Sequence, residues 1–406
     1  REGGLYSRYS ALSAGRFTEP RVHGRVHGSH FLLMNPAIRG RSRSSRRIPR
    51  VTLPSPPRGR RIAYLSTYLP RECGLSTFAH DLSSAIDTLG VFAHPTIIAV
   101  HNPEIYAGSY AQEVRFLLLE RERASYARAA TFVNQSDIAL VCLQHEYGIF
   151  GTNSPPSTWD GAYILDFLRR VKKPVVATLH TVLERPNAKQ RAVLAEIGRI
   201  CARLVVMAGN ATETLQRVYG IPPEKVVFIH HGAPDVPFHG SDYFKRIFAL
   251  QGREVLMTFG LLSENKGIEV ALEALRTVIR NHPEVIYLIV GATHPVVRKT
   301  HGEAYRKMLL RRVREHRLSE HVRFVNQYLT LNQLILFLRA TNIYIAPQLD
   351  PAQYVSGTLA YAAAFGKAII ASEFRYATYL LADGRGFLVP PRNPQAIAEA
   401  LETLLK

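Results

Sequence analysis

From Arg61 to the C-terminus, short apolar runs of strand length alternate with segments of helical period, and this alternation restricts the fold more than any other feature of the sequence. Strands that are apolar on both faces are typical of parallel sheets covered by helices on either side. Two such series are present, joined by a polar bridge at about 232–252. The pattern therefore predicts two doubly wound, Rossmann-like α/β domains.

The alternation gives each series its own set of elements. The predicted strands are Ile62–Ser66, Thr96–Val100, Val114–Leu118, Ile138–Leu143, Pro174–Leu179, Leu204–Met207 and Val226–Ile229, then Glu254–Phe259, Val285–Val290, Val322–Val325, Ile343–Ala346, Ala368–Ala371 and Phe387–Val389. Helical periodicity connects them, most clearly at Leu75–Leu89, Ala188–Ile200, Ile268–Asn281 and Leu331–Ala340. We therefore expect an Arg-rich tail over 1–60, a first domain over 61–234 and a second over 235–406.

The tail carries most of the charge. Residues 1–61 hold 14 Arg, no Lys and two acidic residues, so they contribute +12 of the net +19. This stretch has no sustained periodicity, and disorder is expected. Three interpretations stay open: translated sequence upstream of a natural start at Met34, an acid-poor targeting segment, or a basic arm for membrane or nucleic acid. The remainder is only mildly basic, which argues against nucleic acid as the main partner.

The cysteines and the hydropathy bear on location. Cys73, Cys142 and Cys201 are odd in number, far apart and without metal-ligand spacing, so a reducing compartment is expected. No apolar run reaches the roughly 18 residues that span a bilayer. We expect a cytoplasmic protein, with peripheral contact to an anionic membrane on its cytoplasmic face as an open alternative.

Ligands of parallel sheets bind where the strands end, so the loops after the strands hold the candidate residues. Gly74 follows the first strand and precedes a helix whose N-terminus favours an anion; an ordinary turn glycine is the alternative. His145 and Glu146 follow the strand Ile138–Leu143. The zinc-protease motif His-Glu-x-x-His fails here because Ile149 takes the place of the second histidine. Both side chains stay candidates for the acceptor side, beside the alternative of a structural histidine.

His180 ends another strand in the same way and is a candidate sugar or acceptor contact. His230 and His231 are adjacent in the bridge, and neighbouring side chains of an extended segment point to opposite faces. A hinge is therefore favoured over a metal pair at these two histidines. No metal site is predicted anywhere in the chain.

The second series offers two phosphate sites. After the strand Glu254–Phe259 come Gly260 and, at the start of a long helix, Lys266. An ammonium group beside free helix N–H groups suits a diphosphate, whereas the helix dipole alone would favour an acid there. Ser356, Gly357 and Thr358 precede another helix; Ser356 can cap it and Gly357 permits close approach of a ligand. Capping alone also explains Ser356.

Several enzyme classes lack their motifs. The chain has no Walker phosphate loop, no Asp-x-Asp pair for a metal-bridged diphosphate, no G-x-S-x-G and no complete G-x-G-x-x-G after the first strand. These absences count against P-loop enzymes, metal-bridged glycosyltransferases, hydrolases with that nucleophile motif, and dehydrogenases.

From about Arg61 onward the chain resembles the retaining GT-B glycosyltransferases of family 4, which place two Rossmann-like domains across a cleft. The resemblance is carried, in order, by residues 70–74, 144–148, 179–181, 231–232, 260–267, 290–294, 357–361 and 366–367. The family usually closes with a long helix that crosses back to the first domain, so the resemblance implies that the second domain is truncated at its end.

The resemblance implies roles for single residues. Lys266 matches the family's diphosphate lysine, but Leu261 replaces its arginine. Gln353 and Tyr361 stand where the family has two glutamates, of which the first contacts the donor sugar and the second the ribose; both can still hydrogen-bond. Asn326 begins the segment that would contact the base. His180 matches the histidine beside the donor sugar.

The implied activity is transfer of a hexosyl unit from a nucleotide-diphosphate sugar to a glycan, lipid or small-molecule acceptor, with retention of configuration and without a metal or other cofactor. His180 and Lys266 would be catalytic. Two alternatives stay open: a catalytically silent protein that binds a nucleotide sugar or a glycan, indicated by Leu261, Gln353 and Tyr361, and a nucleotide-sugar epimerase.

Overall fold

The computed structural model describes residues 59–153, 159–238 and 240–406. The tail predicted over 1–60 lies almost entirely outside these residues. Within them the chain forms two parallel sheets, each flanked by helices, as the alternation of strands and helices predicts.

The first sheet has the order β3-β2-β1-β4-β5-β6-β7, and every neighbouring pair is parallel. Its strands are β1 (Arg61–Ser66), β2 (Ala93–His101), β3 (Val114–Leu119), β4 (Ile138–His145), β5 (Val175–Leu179), β6 (Arg203–Val206) and β7 (Val226–Phe228). The helices between them are α1 (Gly74–Thr88), α2 (Arg123–Gln135), α3 (Ile164–Leu168), α4 (Ala188–Ile200) and α5 (Ala211–Tyr219).

The second sheet is also parallel throughout, in the order β10-β9-β8-β11-β12-β13. Its strands are β8 (Glu254–Phe259), β9 (Val285–Val290), β10 (Val322–Val325), β11 (Ile343–Ala346), β12 (Ala368–Ser372) and β13 (Phe387–Val389). Its helices are α6 (Ser241–Ile247), α7 (Ile268–Asn281), α8 (Pro295–His301), α9 (Ala304–Glu315), α10 (Leu331–Ala340), α11 (Gly357–Ala364), α12 (Arg375–Leu380) and α13 (Pro394–Leu404).

Each sheet buries both of its faces, because successive side chains of a strand alternate between them. Along β1, Ile62 and Tyr64 join one apolar cluster while Ala63 and Leu65 join another. The second sheet divides in the same way, with Val255 on one side and Leu256 on the other. Two-sided burial explains why these strands read as continuous apolar runs rather than alternating ones.

Two helices do not follow from the sequence pattern. The polar bridge contains α6, and the loop after β9 contains α8. Both have only seven residues, too few to display a helical period. The predicted boundary between 234 and 235 falls after β7 and before α6.

Candidate functional site

The order of each sheet reverses direction at one point, and there the loops after neighbouring strands diverge and leave a crevice. In the first sheet this point lies between β1 and β4, and in the second between β8 and β11. Of the first-domain candidates, Gly74 comes after β1, His145 is the last residue of β4 and Glu146 follows it. The candidates Gly260, Lys266 and residues 353–358 follow the second pair.

Glycines shape the edge of the second sheet. Gly260 has φ +124°, and a Cβ there would lie 3.2 Å from Cγ2 of Thr358 and 3.6 Å from Nζ of Lys266. Gly291 has φ +140°, and a Cβ there would overlap the carbonyl oxygen of Gly260. Both angles are unfavourable for residues with a side chain. The loops after β8 and β9 therefore pack backbone to backbone, and Gly260, Thr358 and Lys266 come together.

Lys266 lies in a single-turn 3-10 helix, Glu264–Lys266, rather than in the first turn of α7. Gly267, at φ +60°, reverses the chain before α7 begins at Ile268. The Gln348 amide can hydrogen-bond to both of its neighbours in one orientation. Its nitrogen then donates to the Asn265 carbonyl oxygen at 3.1 Å, and its oxygen accepts from Lys266 Nζ at 3.3 Å. Burial lowers the pKa of Lys266 to about 8. An anion beside the ammonium would offset this desolvation.

The N-terminus of α7 is partly occupied already. The backbone N–H of Ile268 donates to the hydroxyl of Tyr305 at 3.1 Å, and that hydroxyl donates to Glu269 at 2.6 Å. A carboxylate in the first turn also complements the helix dipole. The free helix N–H groups that the sequence analysis places beside Lys266 are therefore only partly available at α7.

The N-terminus of α11 is the better anion site. Ser356 caps the helix by accepting from the Leu359 N–H at 3.3 Å, as predicted. The first N–H groups of a helix have no intrahelical acceptor, which leaves those of Gly357 and Thr358 without one. A Cβ at Gly357 would lie 3.0 Å from His231 Nε2, so the loop before α11 passes close to the bridge between the domains. Lys266, Gly260 and the start of α11 together form one cationic corner.

The two bridge histidines diverge. The His231 ring donates from Nδ1 to the Gly232 carbonyl at 2.7 Å, and its centroid lies 5.2 Å from the Phe78 ring. The His230 ring packs against Phe228 and Tyr379 instead. The two rings therefore point to different surroundings, as expected for adjacent side chains of an extended segment.

His180 follows β5 and faces the cleft edge of the first domain. Its Nε2 lies 2.9 Å from Oε1 of Gln144, and the Phe78 ring meets it edge-on with 4.8 Å between centroids. Burial, with nearby His231 and His145, lowers the pKa of His180 to about 3. The ring is therefore neutral at physiological pH. A neutral imidazole whose Nε2–H donates to Gln144 presents Nδ1 as an acceptor.

His145 and Glu146 differ in accessibility. The His145 ring is fully buried against Tyr147 and Phe150, and burial lowers its pKa to about 4. Its position favours the structural interpretation. Glu146 accepts from the Tyr147 N–H at 2.9 Å and from the Thr181 hydroxyl at 2.5 Å. Burial raises the pKa of Glu146, and the bond from Thr181 connects the loop after β4 to the loop after β5.

Other predicted donor contacts occupy varied surroundings. Gly74 begins α1, and a Cβ there would meet nothing within 4 Å, so the space above it is open. Asn326 is exposed directly after β10. The Gln353 amide donates to the Val355 carbonyl at 2.9 Å and so braces its own loop. That loop continues to Tyr354, whose hydroxyl lies 3.1 Å from that of Thr214 in the first domain.

The two domains meet along α1. The Tyr328 hydroxyl lies 2.7 Å from that of Thr77, and the Tyr361 hydroxyl donates to the Asp81 carboxylate at 3.2 Å. Burial raises the pKa of both tyrosines. Tyr361, predicted as a donor contact, therefore bonds across the cleft. The sequence pattern does not single out Phe78, Thr77 or Asp81. The four-residue spacing from Cys73 to Thr77 and Asp81 is the one indication it contains, since it places Thr77 and Asp81 on one face of α1.

Within the described ranges, no group of three or more His, Cys, Asp or Glu side chains is arranged to hold a metal ion. In the same part of the chain, no helix combines the length and apolar character that a membrane span requires.

Both halves of the chain match known protein families. Residues 73–235 match the family described as Glycosyltransferase Family 4, and residues 241–406 match Glycosyl transferases group 1. The first match begins at the loop before α1 and the second at α6. Together they include every candidate site residue.

The curated relatives include the phosphatidyl-myo-inositol mannosyltransferase of Mycobacterium tuberculosis and that of Mycobacterium bovis. Each is 32% identical over 152 residues, which is 37% of this chain and 36% of the relative. The match thus spans about a third of the relatives' length.

Solved structures resemble most of the chain. Anabaena Alr3699/HepE, in complex with UDP and glucose, has a TM-score of 0.61 at 15% identity and covers 85% of this chain and 90% of its own. Sucrose-phosphate synthase from Thermosynechococcus elongatus has a TM-score of 0.64 at 16% identity with the same coverage. At such identities the likeness shows a shared fold of two Rossmann-like domains.

Proposed function

Because the chain belongs to the GT-B glycosyltransferases of family 4, we propose that it transfers a hexosyl unit from a nucleotide-diphosphate sugar to a hydroxyl acceptor. The observation that carries the proposal is the cationic corner of the second domain. There Lys266, the backbone at Gly260 and the first N–H groups of α11 converge at the point where the sheet order reverses.

This corner suits the diphosphate leaving group. In the reaction the bond between the sugar's anomeric carbon and the phosphate oxygen breaks, and negative charge develops on the departing diphosphate. An ammonium and oriented N–H groups stabilise that charge without reorganising, and one such donor at a dry site contributes about 3 kcal/mol. Lys266, Gly357 and Thr358 fill this role in the proposal, and no metal ion is needed for it.

The first domain supplies the other side of the reaction centre. His180 is neutral and lies beside Phe78, which also contacts His231 of the bridge. We place the transferred sugar next to the His180 ring and the acceptor toward Glu146. With retention of configuration, the acceptor hydroxyl attacks on the face that the diphosphate leaves, and its proton passes to a phosphate oxygen. Contact between the domains excludes water from this step.

The relatives suggest the substrate classes. The mannosyltransferase relatives are named for phosphatidyl-myo-inositol, a lipid acceptor, and Alr3699/HepE was solved with UDP and glucose. We propose a nucleoside-diphosphate hexose as donor and a glycan or lipid-linked hydroxyl as acceptor. A lipid-linked acceptor would bring the protein to an anionic membrane surface from the cytoplasm, and vesicles containing phosphatidylserine test this by co-sedimentation.

A silent binding protein is the second candidate, and one observation favours it. The positions matched to the family's two glutamates hold Gln353 and Tyr361, and these side chains bond to Val355 and Asp81. A protein that binds a nucleotide sugar without turning it over would also need a cationic site for the diphosphate.

The test is a transfer assay preceded by a binding screen. Thermal shift against UDP-, GDP- and ADP-hexoses identifies the donor, since a ligand at about 100 times its dissociation constant stabilises by roughly 2.7 kcal/mol. The donor is then incubated with glycan and lipid acceptors, and the anomeric configuration of the product is read by NMR. Turnover that survives unchanged in Lys266→Ala would refute the assignment. Binding without turnover on every acceptor would support the silent protein.

A further inference from the structure

The face of α1 that meets the second domain carries Thr77 and Asp81, and Cys73, the residue before the helix, lies four residues ahead of Thr77. The Tyr328 hydroxyl lies 2.7 Å from the Thr77 hydroxyl and donates to the Cys73 carbonyl at 3.4 Å. Asp81 receives the Tyr361 hydroxyl at 3.2 Å. This face of α1 therefore covers the surface of the second domain that lies between β10 and α11.

Asp81 is a carboxylate in a sheltered position. Its side chain is only 11% exposed, and the His80 ring approaches its other oxygen at 3.3 Å. Two oxygens offer about four acceptor positions, and these two neighbours use one on each oxygen. Asp81 can therefore accept further hydroxyl groups without losing its present partners.

The distance between the cationic corner and Asp81 suits a nucleoside. Tyr361 lies four residues after Gly357 on α11, which is about 6 Å along the helix axis. Asp81 is in hydrogen-bond contact with Tyr361. In a nucleoside diphosphate the ribose follows the diphosphate directly and carries two vicinal hydroxyls. A diphosphate at the start of α11 thus brings that diol within reach of a carboxylate one turn further on.

We propose that Asp81, contributed by the opposite domain, binds the ribose hydroxyls of the donor nucleotide. The inference rests on the proposed function, because it takes a nucleoside diphosphate as the ligand of the cationic corner. The Tyr361 hydroxyl holds the carboxylate in place, and His80 flanks it. Since the phosphate contacts come from the second domain and the ribose contact from α1, a bound nucleotide connects the two domains.

The experiment compares ribonucleotides with deoxynucleotides. Isothermal titration calorimetry measures UDP, GDP and ADP against the corresponding 2′-deoxynucleoside diphosphates, first on the wild-type protein. We expect about a tenfold preference for the ribonucleotide that binds, the size of one hydrogen bond to a charged acceptor. In Asp81→Asn the ratio of the two affinities should fall to within about twofold of unity.

Three further variants separate ribose binding from simple contact between the domains. Asp87→Asn alters another carboxylate of α1, one that pairs with His94, and should keep the preference. Tyr361→Phe removes the hydrogen bond that holds the carboxylate but keeps the carboxylate itself, so the preference should fall by less than it does in Asp81→Asn. The double variant Asp81→Asn/Tyr361→Glu returns a carboxylate to the same place from α11, and the preference should reappear.

The outcomes are distinguishable. If the wild type binds a ribonucleotide and Asp81→Asn keeps the preference, the inference is wrong while the proposed function stands. If Tyr361→Phe and Asp81→Asn lose it equally, the pair is a structural contact and the inference is also wrong. If no nucleoside diphosphate binds the wild type, the proposed function fails and the inference falls with it. Thermal melts verify that each variant is folded.

Discussion

The two cleft edges are built from the same element, the carboxyl end of a parallel sheet, yet they differ in chemistry. The edge of the second domain consists of close-packed glycines, one partly buried lysine and a helix N-terminus. The edge of the first domain consists of neutral histidines and a carboxylate held by hydrogen bonds. The edge of the second domain offers positive charge and exposed backbone N–H groups, and the edge of the first domain offers neutral rings and a carboxylate fixed by hydrogen bonds.

This difference shows how a single fold divides a transfer reaction. A diphosphate needs cations and N–H donors close to the backbone, which glycines make accessible. A sugar or an acceptor carries hydroxyls, for which a fixed neutral ring and a bonded carboxylate are suitable partners. Four experiments test this difference between the two edges.

Replacing glycine by alanine should reveal the largest difference in stability between the two edges. Gly291→Ala places a Cβ against the Gly260 carbonyl at φ +140°, so we expect the free energy of unfolding to fall by about 3 kcal/mol. Gly74→Ala adds a methyl group in open space and should change stability by less than about 1 kcal/mol. Urea denaturation measures both. Equal losses would contradict the contrast between a packed and an open glycine.

Removing the lysine should weaken nucleotide binding strongly. In Lys266→Ala we expect the affinity for UDP or GDP, whichever binds, to fall by about ten- to a hundredfold, because a charge-assisted contact is lost. Calorimetry gives the dissociation constants. Lys307→Ala, an exposed lysine of α9, is the matched control and should bind as the wild type does. An unchanged affinity in Lys266→Ala would show that the cationic corner does not bind the nucleotide.

The same lysine predicts a dependence on pH. Because burial lowers its pKa to about 8, the free protein loses the ammonium as the pH rises above that value, and nucleotide affinity should then fall by up to tenfold per pH unit. Bound diphosphate favours the charged form, so binding takes up a proton in this range. Lys266→Arg, whose guanidinium stays charged, should give a flat profile. A falling profile in that variant would assign the titration to another group.

The smallest effect is expected at the edge of the first domain. Burial raises the pKa of Glu146, so its ionised form costs stability at neutral pH. Glu146→Gln keeps an acceptor for the Tyr147 N–H, and we expect unfolding free energy at pH 7 to rise by about 1 kcal/mol or less. As the pH falls through the raised pKa, the wild type gains a proton and the difference shrinks. Urea titrations at several pH values measure it; a difference that grows toward acid would show a different cause.

The strands were predictable because burial on both faces leaves an unbroken apolar run. β8, β9, β10 and β11 begin and end where the sequence indicates, and so do α4, α7 and α10. α6 and α8 were not predicted because each has only seven residues, which is too short to show a helical period. The same holds for the candidate site: Gly260, Lys266 and Ser356 were predictable because each lies between a strand and the long helix that follows it.

Asp81 and Thr77 were not accessible in this way, since nothing in a helical segment states which of its polar residues another domain will meet. The number of sheets, the loops that follow their strands and the chemical character of each edge could be read from the sequence, because they depend on short-range patterns of apolar and polar residues. The bond of Tyr361 to Asp81, the contact of Tyr305 with the start of α7 and the burial of His145 are visible only in the folded chain. These contacts depend on how segments distant in sequence pack together, and local periodicity does not determine that packing.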